Sequence, residues 1–340
     1  MPERPTVLVT GAAGYLGRRI TDACRASGYD VIAHTRASGD LATADAFAAV
    51  ADRDRARIGA IVHSAAVTRF NVDAETADRV NVGGTKRVIE FAQECPALEQ
   101  VTLLSTVYAS GLQTGRVPET LVASDRGFAN HYERSKWEAE SVVAASGLPW
   151  QVVRVATAIA DDDTGAVTQY NAFHTTLRLC FYGLLSVLPG RADTPLYLVT
   201  GEFATAAVLA VLGGRESGVY HACHERAACA TLGQAIEIAF EVFTADDEFR
   251  RKGILPPLLA DEESFGVMAE GIETFGGEVV SQAMRTVSPF GPQLYVDKDV
   301  ENARLRSVLD GYRAPDSREL LRAVVTNLVA TRWGRRVAVA

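Results

Sequence analysis

A tyrosine and a lysine four residues apart could do acid–base chemistry in this chain. Tyr132 and Lys136 lie in the stretch His131–Trp137, which is predicted to be helical, so their side chains share one face of the helix. A tyrosine is a weak acid whose ordinary pKa is about 10, and a neighbouring ammonium group stabilises its phenolate. The pair could therefore give a proton to a carbonyl group that receives a hydride. The ordinary alternative is an exposed pair on a helix.

Two adjacent hydroxyl groups stand at the end of a predicted strand. Ser105 ends the strand Val101–Ser105, and Thr106 follows it. Ligands bind at the carboxyl edge of an open α/β sheet, and a hydroxyl group there can orient a substrate oxygen. Either residue alone would carry little information, and the pattern leaves open which of the two faces a substrate.

A third group of residues forms a turn that can hold an anion. Gly11 and Gly14 lie between the apolar strand Thr6–Thr10 and the predicted helix Tyr15–Ala26, and Gly17 lies in the first turn of that helix. Backbone N–H groups and the dipole of a helix N-terminus favour a phosphate group, and glycine lets a pyrophosphate come close. Such glycines can also serve packing alone. The residues of this turn that we expect to contact a dinucleotide are Thr10, Gly11, Ala13, Gly14, Tyr15, Leu16 and Gly17.

The chain after the second predicted strand indicates which nicotinamide cofactor is bound. A carboxylate at the end of that strand would hydrogen-bond the ribose 2′-hydroxyl of NAD, but no carboxylate follows His34 before Asp40. Arg36 can pair with a 2′-phosphate through two hydrogen bonds, and Arg18 can reach the same group. We therefore predict NADP(H), with Asp40 and Leu41 beside the adenine, although both arginines could be ordinary surface residues.

The residues at the end of the third predicted strand are small. Ser64, Ala65 and Ala66 follow His63 and would let the backbone lie against the cofactor. A histidine titrates near neutral pH, but at the end of a buried strand it more often has a structural role. We therefore predict cofactor contacts for the three small residues and leave His63 out of the chemistry.

Predicted strands and helices alternate through the first half of the chain. This alternation predicts an α/β protein with a Rossmann-type doubly wound parallel sheet and a smaller, mostly helical C-terminal lobe. Residues 1–155 form the predicted NADP-binding core, with a later contribution from about 196–243, and residues 156–340 form the predicted substrate-binding lobe. The expected strands are Thr6–Thr10, Asp30–His34, Gly59–His63, Val101–Ser105, Gln151–Val155, Leu196–Thr200 and Gly218–Cys223. The expected helices are Tyr15–Ala26, Thr43–Arg55, Asp73 or Glu75 to Gln93, Tyr132–Ala145 and Thr231–Phe243.

Composition narrows the class of protein. The chain has 340 residues, a net charge of −8 and 48% hydrophobic residues, which is typical of a globular protein. The acidic balance argues against nucleic-acid binding. The sequence has no apolar run that suits a secretory leader or a membrane span, so we expect a cytoplasmic protein.

Neither the cysteines nor the acidic residues suggest a metal site. The odd number of cysteines, their wide spacing and the lack of a C-x-x-C pattern predict free thiols in a reducing compartment. The run Asp161–Asp163 lacks the ligand spacing of a calcium loop and is predicted to be a solvated turn. The cysteines are Cys24, Cys95, Cys180, Cys223 and Cys229.

Together these motifs resemble the extended branch of the short-chain dehydrogenase/reductase superfamily, from Thr6 to about Phe243. Within it, the chain is similar to fatty acyl-CoA reductases and to the terminal thioester reductase domains of the male-sterility type. The pieces that match the superfamily are Thr10–Gly17, His63–Ala66, Asn81–Thr85, Ser105–Thr106 and Tyr132–Lys136. The pieces that carry the narrower likeness are Ala65–Phe70, Ser105–Tyr108, Ser135–Glu140, Arg154 and Asp163–Gly165.

The resemblance implies roles for individual residues. Tyr132 would be the general acid/base, and Lys136 would lower its pKa and hold the nicotinamide ribose. Thr106, rather than Ser105, would be the hydroxyl partner of the tyrosine, and Asn81 would contribute to the cofactor site. NADPH is the usual cofactor of the family, and the substrate would be an acyl thioester on CoA or on a separate carrier protein.

Three functions remain open from the sequence. The first is an NADPH-dependent reductase that acts on a carbonyl, in particular an acyl thioester, giving an aldehyde or alcohol. The second is a nucleotide-sugar epimerase or dehydratase, or a ketone or aldehyde reductase, and the third is a non-catalytic dinucleotide sensor. Oligomeric state is open between monomer and homodimer. The residues that could line an acyl tunnel, or simply form the core face of a helix, are Leu177, Phe181, Leu184 and Leu185.

Overall fold

The computed structural model describes residues 6–214, 216–275 and 277–335, and its largest sheet has six strands. The strands in these ranges are β1 (Thr6–Thr10), β2 (Asp30–His34), β3 (Ile58–His63), β4 (Gln100–Thr106), β5 (Gly115–Val117), β6 (Trp150–Val155), β7 (Thr157–Ala160), β8 (Val187–Pro189), β9 (Pro195–Leu196), β10 (Leu198–Thr200), β11 (Gly218–Ala222), β12 (Ala230–Thr231), β13 (Leu258–Ala260) and β14 (Lys298–Val300). The α-helices are α1 (Tyr15–Ala26), α2 (Asp52–Arg55), α3 (Ala74–Ala77), α4 (Gly83–Gln93), α5 (His131–Ala144), α6 (Ala172–Phe181), α7 (Gly201–Val211), α8 (Leu232–Phe243), α9 (Asp247–Lys252), α10 (Glu262–Phe275), α11 (Glu278–Val287), α12 (Ala303–Val308) and α13 (Ser317–Ala330).

The six-stranded sheet is parallel throughout and has the order β2-β1-β3-β4-β6-β11. The order reverses between β1 and β3, whose last residues, Thr10 and His63, lie opposite each other. In a doubly wound sheet, ligands bind outside the carboxyl ends of the strands at such a reversal. The predicted Rossmann-type sheet is therefore confirmed, and the turn after β1 and the loop after β3 border the expected site.

Both faces of the sheet are buried because successive residues of a strand point to opposite sides. Val7 and Val9 of β1 share a core with Ile20 of α1 and with α7. Leu8, between them, shares a core on the other side with Val88 of α4 and with α5. Burial of each such side chain stabilises the fold by about 1.5–3 kcal/mol. The two-sided burial explains why the strands are continuous apolar runs in the sequence.

A second apolar core lies in the C-terminal part of the chain. It is built from α6, α8, α10, α11 and α13, and includes Phe243 and Leu321, which are fully buried. Short two-stranded sheets, β8 with β13 and β9 with β12, border this core. The lobe is therefore mostly helical, as predicted, with short strands that the sequence analysis did not predict. No helix among the described residues is long and apolar enough to cross a membrane.

The chain returns to the Rossmann sheet near its end. β14 pairs with β5, and Leu305 of α12 is buried in the core shared by β1, α1 and α7. The backbone N–H groups of Arg304 and Leu305 donate to the carboxylate of the buried Glu119. Residues 298–309 therefore contact the core that the sequence analysis assigned to residues 1–155 and about 196–243. The division into two domains at residue 155 stays a prediction.

The helix expected over Thr43–Arg55 is wrong except for its last turn, α2. Residues 41–50 form successive turns instead. The Nε2 atom of His34 donates to the carbonyl of Ala46, and Phe47 stacks on Phe91 of α4. These tertiary contacts hold the segment against the sheet and override the helix propensity of its alanines.

The helix expected from Asp73 to Gln93 is confirmed as one continuous helical segment, whose geometry changes along its length. Its N-terminal part is the single turn α3, capped by Asp73, and α4 begins only at Gly83. The five residues between them, Asp78–Val82, form a π-helical turn that contains Asn81. Such turns often occur at functional sites because they redirect one side chain.

A buried ion pair joins the sheet to α5. Arg154 of β6 donates two hydrogen bonds to the Glu140 carboxylate, with N–O distances of 2.9 and 2.6 Å, and neither side chain is exposed. The Ser105 hydroxyl donates to the same carboxylate, at 2.5 Å. Arg154 also contacts His221 of β11, at 3.1 Å. Burial lowers the pKa of His221 to about 3, so this ring is neutral beside the guanidinium.

Replacement of Arg154 by methionine should lower the free energy of unfolding by about 3–5 kcal/mol, because it leaves the Glu140 carboxylate buried without its cation. The double variant Arg154→Met/Glu140→Leu should recover much of that loss. Chemical denaturation measures both changes. The control is Arg57→Met, which removes an exposed pair with Asp30 and should cost less than about 1 kcal/mol. An equal loss in the control would contradict the assigned role of burial.

Candidate active site

The glycine turn after β1 lies directly against the end of β3. Gly11 has a φ of +70°, and a Cβ atom there would lie 2.7 Å from the backbone of Ala65. At Gly17 a Cβ atom would lie 2.0 Å from the carbonyl oxygen of Gly11. Only glycine fits either position, because real Cβ atoms do not approach backbone so closely. The turn therefore brings the start of α1 to the reversal point of the sheet.

α5 presents the predicted tyrosine and lysine to the sheet. The side chain of Asn130 caps its N-terminus by accepting from the backbone N–H of Glu133, at 3.0 Å. Tyr132 and Lys136 are both buried, and the Lys136 ammonium group donates to the carbonyl of Leu104 in β4, at 2.7 Å. The exposed-pair alternative is therefore wrong. Burial lowers the pKa of Lys136 to about 8.

Tyr132 holds its proton more firmly than a free tyrosine. Burial raises its pKa, and a hydrogen bond with the side chain of Thr106 opposes this shift. The negative charge of Glu133 raises the pKa further. The ammonium group of Lys136 points to the carbonyl of Leu104, and the expectation that the lysine lowers the pKa of the tyrosine stays a prediction.

The two adjacent hydroxyl groups have different partners. Ser105 donates to Glu140, within the buried ion-pair network. Thr106 bonds with Tyr132, and its hydroxyl oxygen also accepts from the backbone N–H of Tyr108, at 3.3 Å. The Thr106 hydroxyl therefore lies beside the tyrosine, whereas the Ser105 hydroxyl belongs to the buried network of Arg154 and Glu140.

One cavity of about 340 Å³ connects the glycine turn with Thr106 and Tyr132. We name it the sheet-edge cavity, because it lies at the carboxyl ends of the strands. The predicted site residues that line it are Gly11, Gly14, Tyr15, Leu16, Gly17, Ser64, Ala66, Ser105, Thr106, Tyr132 and Lys136. The structure therefore brings together the three motifs that the sequence analysis treated separately.

Eight other predicted cofactor residues do not line this cavity. Four of them are exposed and lie on the glycine turn, on α1 or on the segment after β2. They are Ala13, Arg18, Arg36 and Asp40. Leu41 is buried in the core with α4. The remaining three are Thr10, Ala65 and Asn81.

Thr10 and Asn81 form hydrogen bonds with residues beside the cavity instead of lining it. The hydroxyl of Thr10 contacts His63, at 2.7 Å, and the other ring nitrogen of this histidine contacts Thr85, at 3.1 Å. His63 is buried with a pKa lowered to about 3, which agrees with a structural role. The Asn81 amide pairs with both backbone groups of Val67, at 2.8 and 3.0 Å.

Several cavity residues were missed by the sequence analysis. Two of them, Phe70 and Tyr108, end stretches that were already quoted for the family resemblance, so a signal was available. Thr68 lies in one of these stretches too, and Leu104 is in β4. The others end or follow β6, or lie before or at the start of α6, and carry no motif. The missed residues are Thr68, Phe70, Leu104, Tyr108, Val155, Ala156, Thr157, Ala158, Gln169, Asn171, Ala172 and Phe173.

The glycine turn is also tied to the chain after β7. The Tyr15 hydroxyl donates to the carbonyl of Ala160, at 2.9 Å, and Arg19 forms an ion pair with Asp161, at 2.6 Å. Asp161 is buried, so the prediction that Asp161–Asp163 is a solvated turn is wrong at its first residue. Among the described residues, no cluster of acidic, histidine or cysteine side chains is placed to hold a metal ion.

A second cavity, of about 140 Å³, adjoins the first. We name it the apolar cavity, because most of its walls are aliphatic or aromatic side chains of the C-terminal lobe. Of the four proposed tunnel residues only Leu177 lines it, and Phe181 and Leu185 pack in the helical core. The residues that line both cavities are Phe70, Tyr108, Thr157, Ala172 and Phe173.

The fold, the glycine turn and the paired tyrosine and lysine define an extended short-chain dehydrogenase/reductase. A family model described as "Male sterility protein" matches residues 39–208, which is half of the chain. The chain therefore belongs to this NAD(P)-binding family, and it is an oxidoreductase of the short-chain type.

Two proteins with similar sequences have names that state different substrates. A dTDP-4-dehydrorhamnose reductase of Mycolicibacterium smegmatis is 28% identical over 246 residues, which cover 71% of this chain and 70% of that protein. The fatty acyl-CoA reductase wat of Drosophila melanogaster is 27% identical over 183 residues, which cover 45% of this chain and 35% of that protein. Both are reductases, so they agree on the class of reaction and not on its substrate.

Solved structures share the fold over nearly the whole chain. The terminal R domain of the myxalamid biosynthetic pathway matches with a TM-score of 0.73 and 16% identity, over 98% of this chain and 92% of that one. A thiolation-reductase di-domain of an archaeal non-ribosomal peptide synthetase matches with a TM-score of 0.69 and 18% identity, over 97% of this chain and 76% of that one. At these identities the likeness concerns the fold alone.

Replacement of Thr106 by valine should reduce the turnover of a carbonyl substrate about 10²- to 10³-fold, since we expect the hydroxyl group beside Tyr132 to donate to the reacting oxygen. Ser105→Ala is the matched control and should keep most of the turnover, because the Ser105 hydroxyl serves Glu140. Steady-state oxidation of the reduced nicotinamide cofactor measures both. A larger loss for Ser105→Ala than for Thr106→Val would reverse the assignment.

Activity should fall as the pH rises through about 8, because Lys136, whose ammonium group we expect to hold the nicotinamide ribose, loses its charge there. Below that pH the ammonium form is present and the rate should be constant with respect to this group. In Lys136→Arg the side chain stays protonated, so the residual activity should lack this fall. The measurement is kcat/KM against pH for both proteins. The same alkaline fall in the variant would assign it to another group.

Proposed function

We propose that this protein is an NADPH-dependent reductase of acyl thioesters, bound to CoA or to a carrier protein, that forms an aldehyde or alcohol. The observation that carries the proposal is the arrangement of the two cavities. The sheet-edge cavity joins the glycine turn to Tyr132 and Thr106, and it shares five wall residues with the apolar cavity, among them Phe70 and Tyr108. A cofactor, a carbonyl group and an apolar chain can therefore be held in contiguous spaces.

The glycine turn fits a dinucleotide. Gly11, Gly14 and Gly17 let the turn pack tightly at the N-terminus of α1, since a Cβ atom at any of them would lie 3.2 Å or less from backbone atoms, and all three line the sheet-edge cavity. The N–H groups and dipole of that helix favour the pyrophosphate. Ser64, Ala66 and Lys136 would line the rest of the cofactor. When bound there, NADPH would supply the hydride that reduces the carbonyl carbon.

Tyr132 and Thr106 would act on the carbonyl oxygen. The Tyr132 phenol is protonated at neutral pH because burial raises its pKa, so it can donate to the oxygen as negative charge develops there. Thr106 would hold the same oxygen by a hydrogen bond. Once the hemithioacetal forms, its carbon–sulfur bond breaks, the hydroxyl proton passes to the departing thiolate, and the tyrosine regains a proton from water.

The walls of the apolar cavity support an acyl chain over a sugar. Leu188, Leu232 and Phe240 line it, and its two most polar side chains are already engaged. Lys298 donates to Ser110, Gly111 and Gln293, and Gln293 in turn donates to Gly111 and Glu133. Since these donors are satisfied within the protein, they are not available to sugar hydroxyl groups.

The archaeal thiolation-reductase di-domain supports a carrier-bound substrate. In that protein a thiolation domain and a reductase are parts of one chain. The chain described here would receive the same kind of thioester from a separate carrier protein or from CoA. Both forms end in a thioester on a flexible arm, so the same cavities would serve either.

The direct test is NADPH oxidation with octanoyl-CoA, followed by identification of octanal or octanol. The expected result is turnover in the wild type and its loss in Tyr132→Phe, with NADPH binding retained in the variant. No turnover with octanoyl-CoA or with an octanoyl carrier protein would contradict the proposal. Full turnover in Tyr132→Phe would contradict the role of the tyrosine.

The Arg36→Ala variant should bind NADPH about 10- to 100-fold more weakly, because a charge-assisted bond to the 2′-phosphate is lost. Its affinity for NADH should change less than about twofold. Arg36 is exposed and free of ion pairs with the described residues, so the substitution should not disturb the fold. Fluorescence titration measures both affinities. The control Arg53→Ala removes another exposed arginine and should change neither, and equal losses for NADPH and NADH would contradict the assignment.

A second candidate function is the reduction of a nucleotide-linked keto sugar. The observation in its favour is the similarity to the mycolicibacterial dTDP-4-dehydrorhamnose reductase, which extends over 71% of this chain. Tyr132 and Thr106 would act on the sugar carbonyl in the same way. Turnover of dTDP-4-dehydrorhamnose without turnover of octanoyl-CoA would favour this function, and NAD retained through dialysis would favour an epimerase or dehydratase.

A further inference from the structure

We infer that Phe70 is a specificity-determining residue that decides which acyl groups reach Tyr132. This inference rests on the proposed function. Phe70 lies in the loop after β3, outside the sheet and outside α5, and it lines both the sheet-edge cavity and the apolar cavity. Any group that occupies both cavities must pass beside its ring.

The ring of Phe70 is held by aromatic contacts from three directions. It meets the ring of Tyr132 edge to face, with centroids 5.8 Å apart, and that of Tyr108 at 5.7 Å. On the third side it meets Phe290 of the C-terminal lobe, at 5.9 Å. Such pairs contribute about 0.5–1.5 kcal/mol each beyond burial. Phe70 therefore has a defined place between the reacting carbonyl and the acyl chain.

The backbone that carries Phe70 is fixed by buried polar groups. Asn81 holds both the N–H and the carbonyl of Val67, three residues before the phenylalanine, and also donates to Ser135 of α5, at 2.9 Å. The carbonyl of Arg69 accepts from the N–H of Val72, which closes a turn around Phe70. The loop is thus tied to the helix that carries Tyr132, so the ring keeps its position relative to the phenol.

The contacts of Phe70 differ from those of the other residues that line both cavities. Tyr108 and Thr157 are hydrogen-bonded to each other, at 2.9 Å, and form a fixed part of the wall. Phe173 belongs to α6 and contacts His174 rather than the rings around Tyr132. Phe70 alone among the five is in ring contact with Tyr132 in the part of the chain that the structure describes. A change of its size therefore alters the passage next to the reacting group.

The experiment compares butanoyl-, dodecanoyl- and benzoyl-CoA in the full chain with NADPH. Phe70→Ala should raise kcat/KM for benzoyl-CoA relative to butanoyl-CoA at least tenfold, because discrimination by pocket size is of about this magnitude. Phe70→Trp should lower the dodecanoyl-to-butanoyl ratio by a similar factor. Phe128→Ala is the matched control, since Phe128 is also half-buried and packs on Trp137 of α5 but lines neither cavity.

The ratios distinguish specificity from a structural role. Equal loss for all three thioesters in both Phe70 variants, or unchanged ratios, would overturn the inference. NADPH affinity checks that each variant is folded, and Phe70→Leu replaces Phe70→Ala if the latter does not bind the cofactor. If the wild type reduces none of the three thioesters, the proposed function fails. If it reduces them and the variants keep its ratios, only the inference about Phe70 fails.

Discussion

The structure depends on one buried ion pair. Arg154 and Glu140 have no exposed surface, and their two hydrogen bonds join α5 to β6. Ser105 of β4 bonds to Glu140 and His221 of β11 contacts Arg154, so the network also joins these two strands. A charge placed so deeply is costly unless every polar atom is satisfied. The cost is offset here by a network that fixes the register between the helix bearing the tyrosine and the strand bearing the threonine.

Local motifs were sufficient to place the glycine turn, Thr106, Tyr132 and Lys136 in one candidate site, and their catalytic roles stay a prediction. A strand, a glycine turn and a helix are set by short-range steric rules, and Tyr132 and Lys136 are neighbours on any helix. The expected fold and strand boundaries of the first half were confirmed for the same reason. The one wrong helix and the features that were missed depend on contacts distant in sequence: the turns around Phe47, the π-helical turn at Asn81, and the place of Phe70. Nothing in their local sequence specifies the partners Phe91, Val67 or Phe290.

The similarity to known proteins also indicates the class of reaction and leaves the substrate open. The relatives named as a sugar reductase and as a fatty acyl-CoA reductase are both similar to this chain, so the similarity does not identify the substrate. In this protein the C-terminal lobe encloses an apolar space beside Tyr108 and Phe70, and Lys298 and Gln293 use their hydrogen bonds within the protein. The chemistry of those walls is therefore more informative about substrate than the shared fold.

The return of residues 298–309 to the sheet has a consequence for synthesis on the ribosome. β11 completes the sheet only after residue 222, and Leu305 closes the core beside it. Helices α8 to α11 of the C-terminal lobe lie between these two points in the chain. A growing chain must therefore hold an unfinished core beside the sheet, with part of α7 uncovered, until α12 has left the ribosome. Nascent chains of this kind are exposed to aggregation for longer than those whose N-terminal domain folds alone.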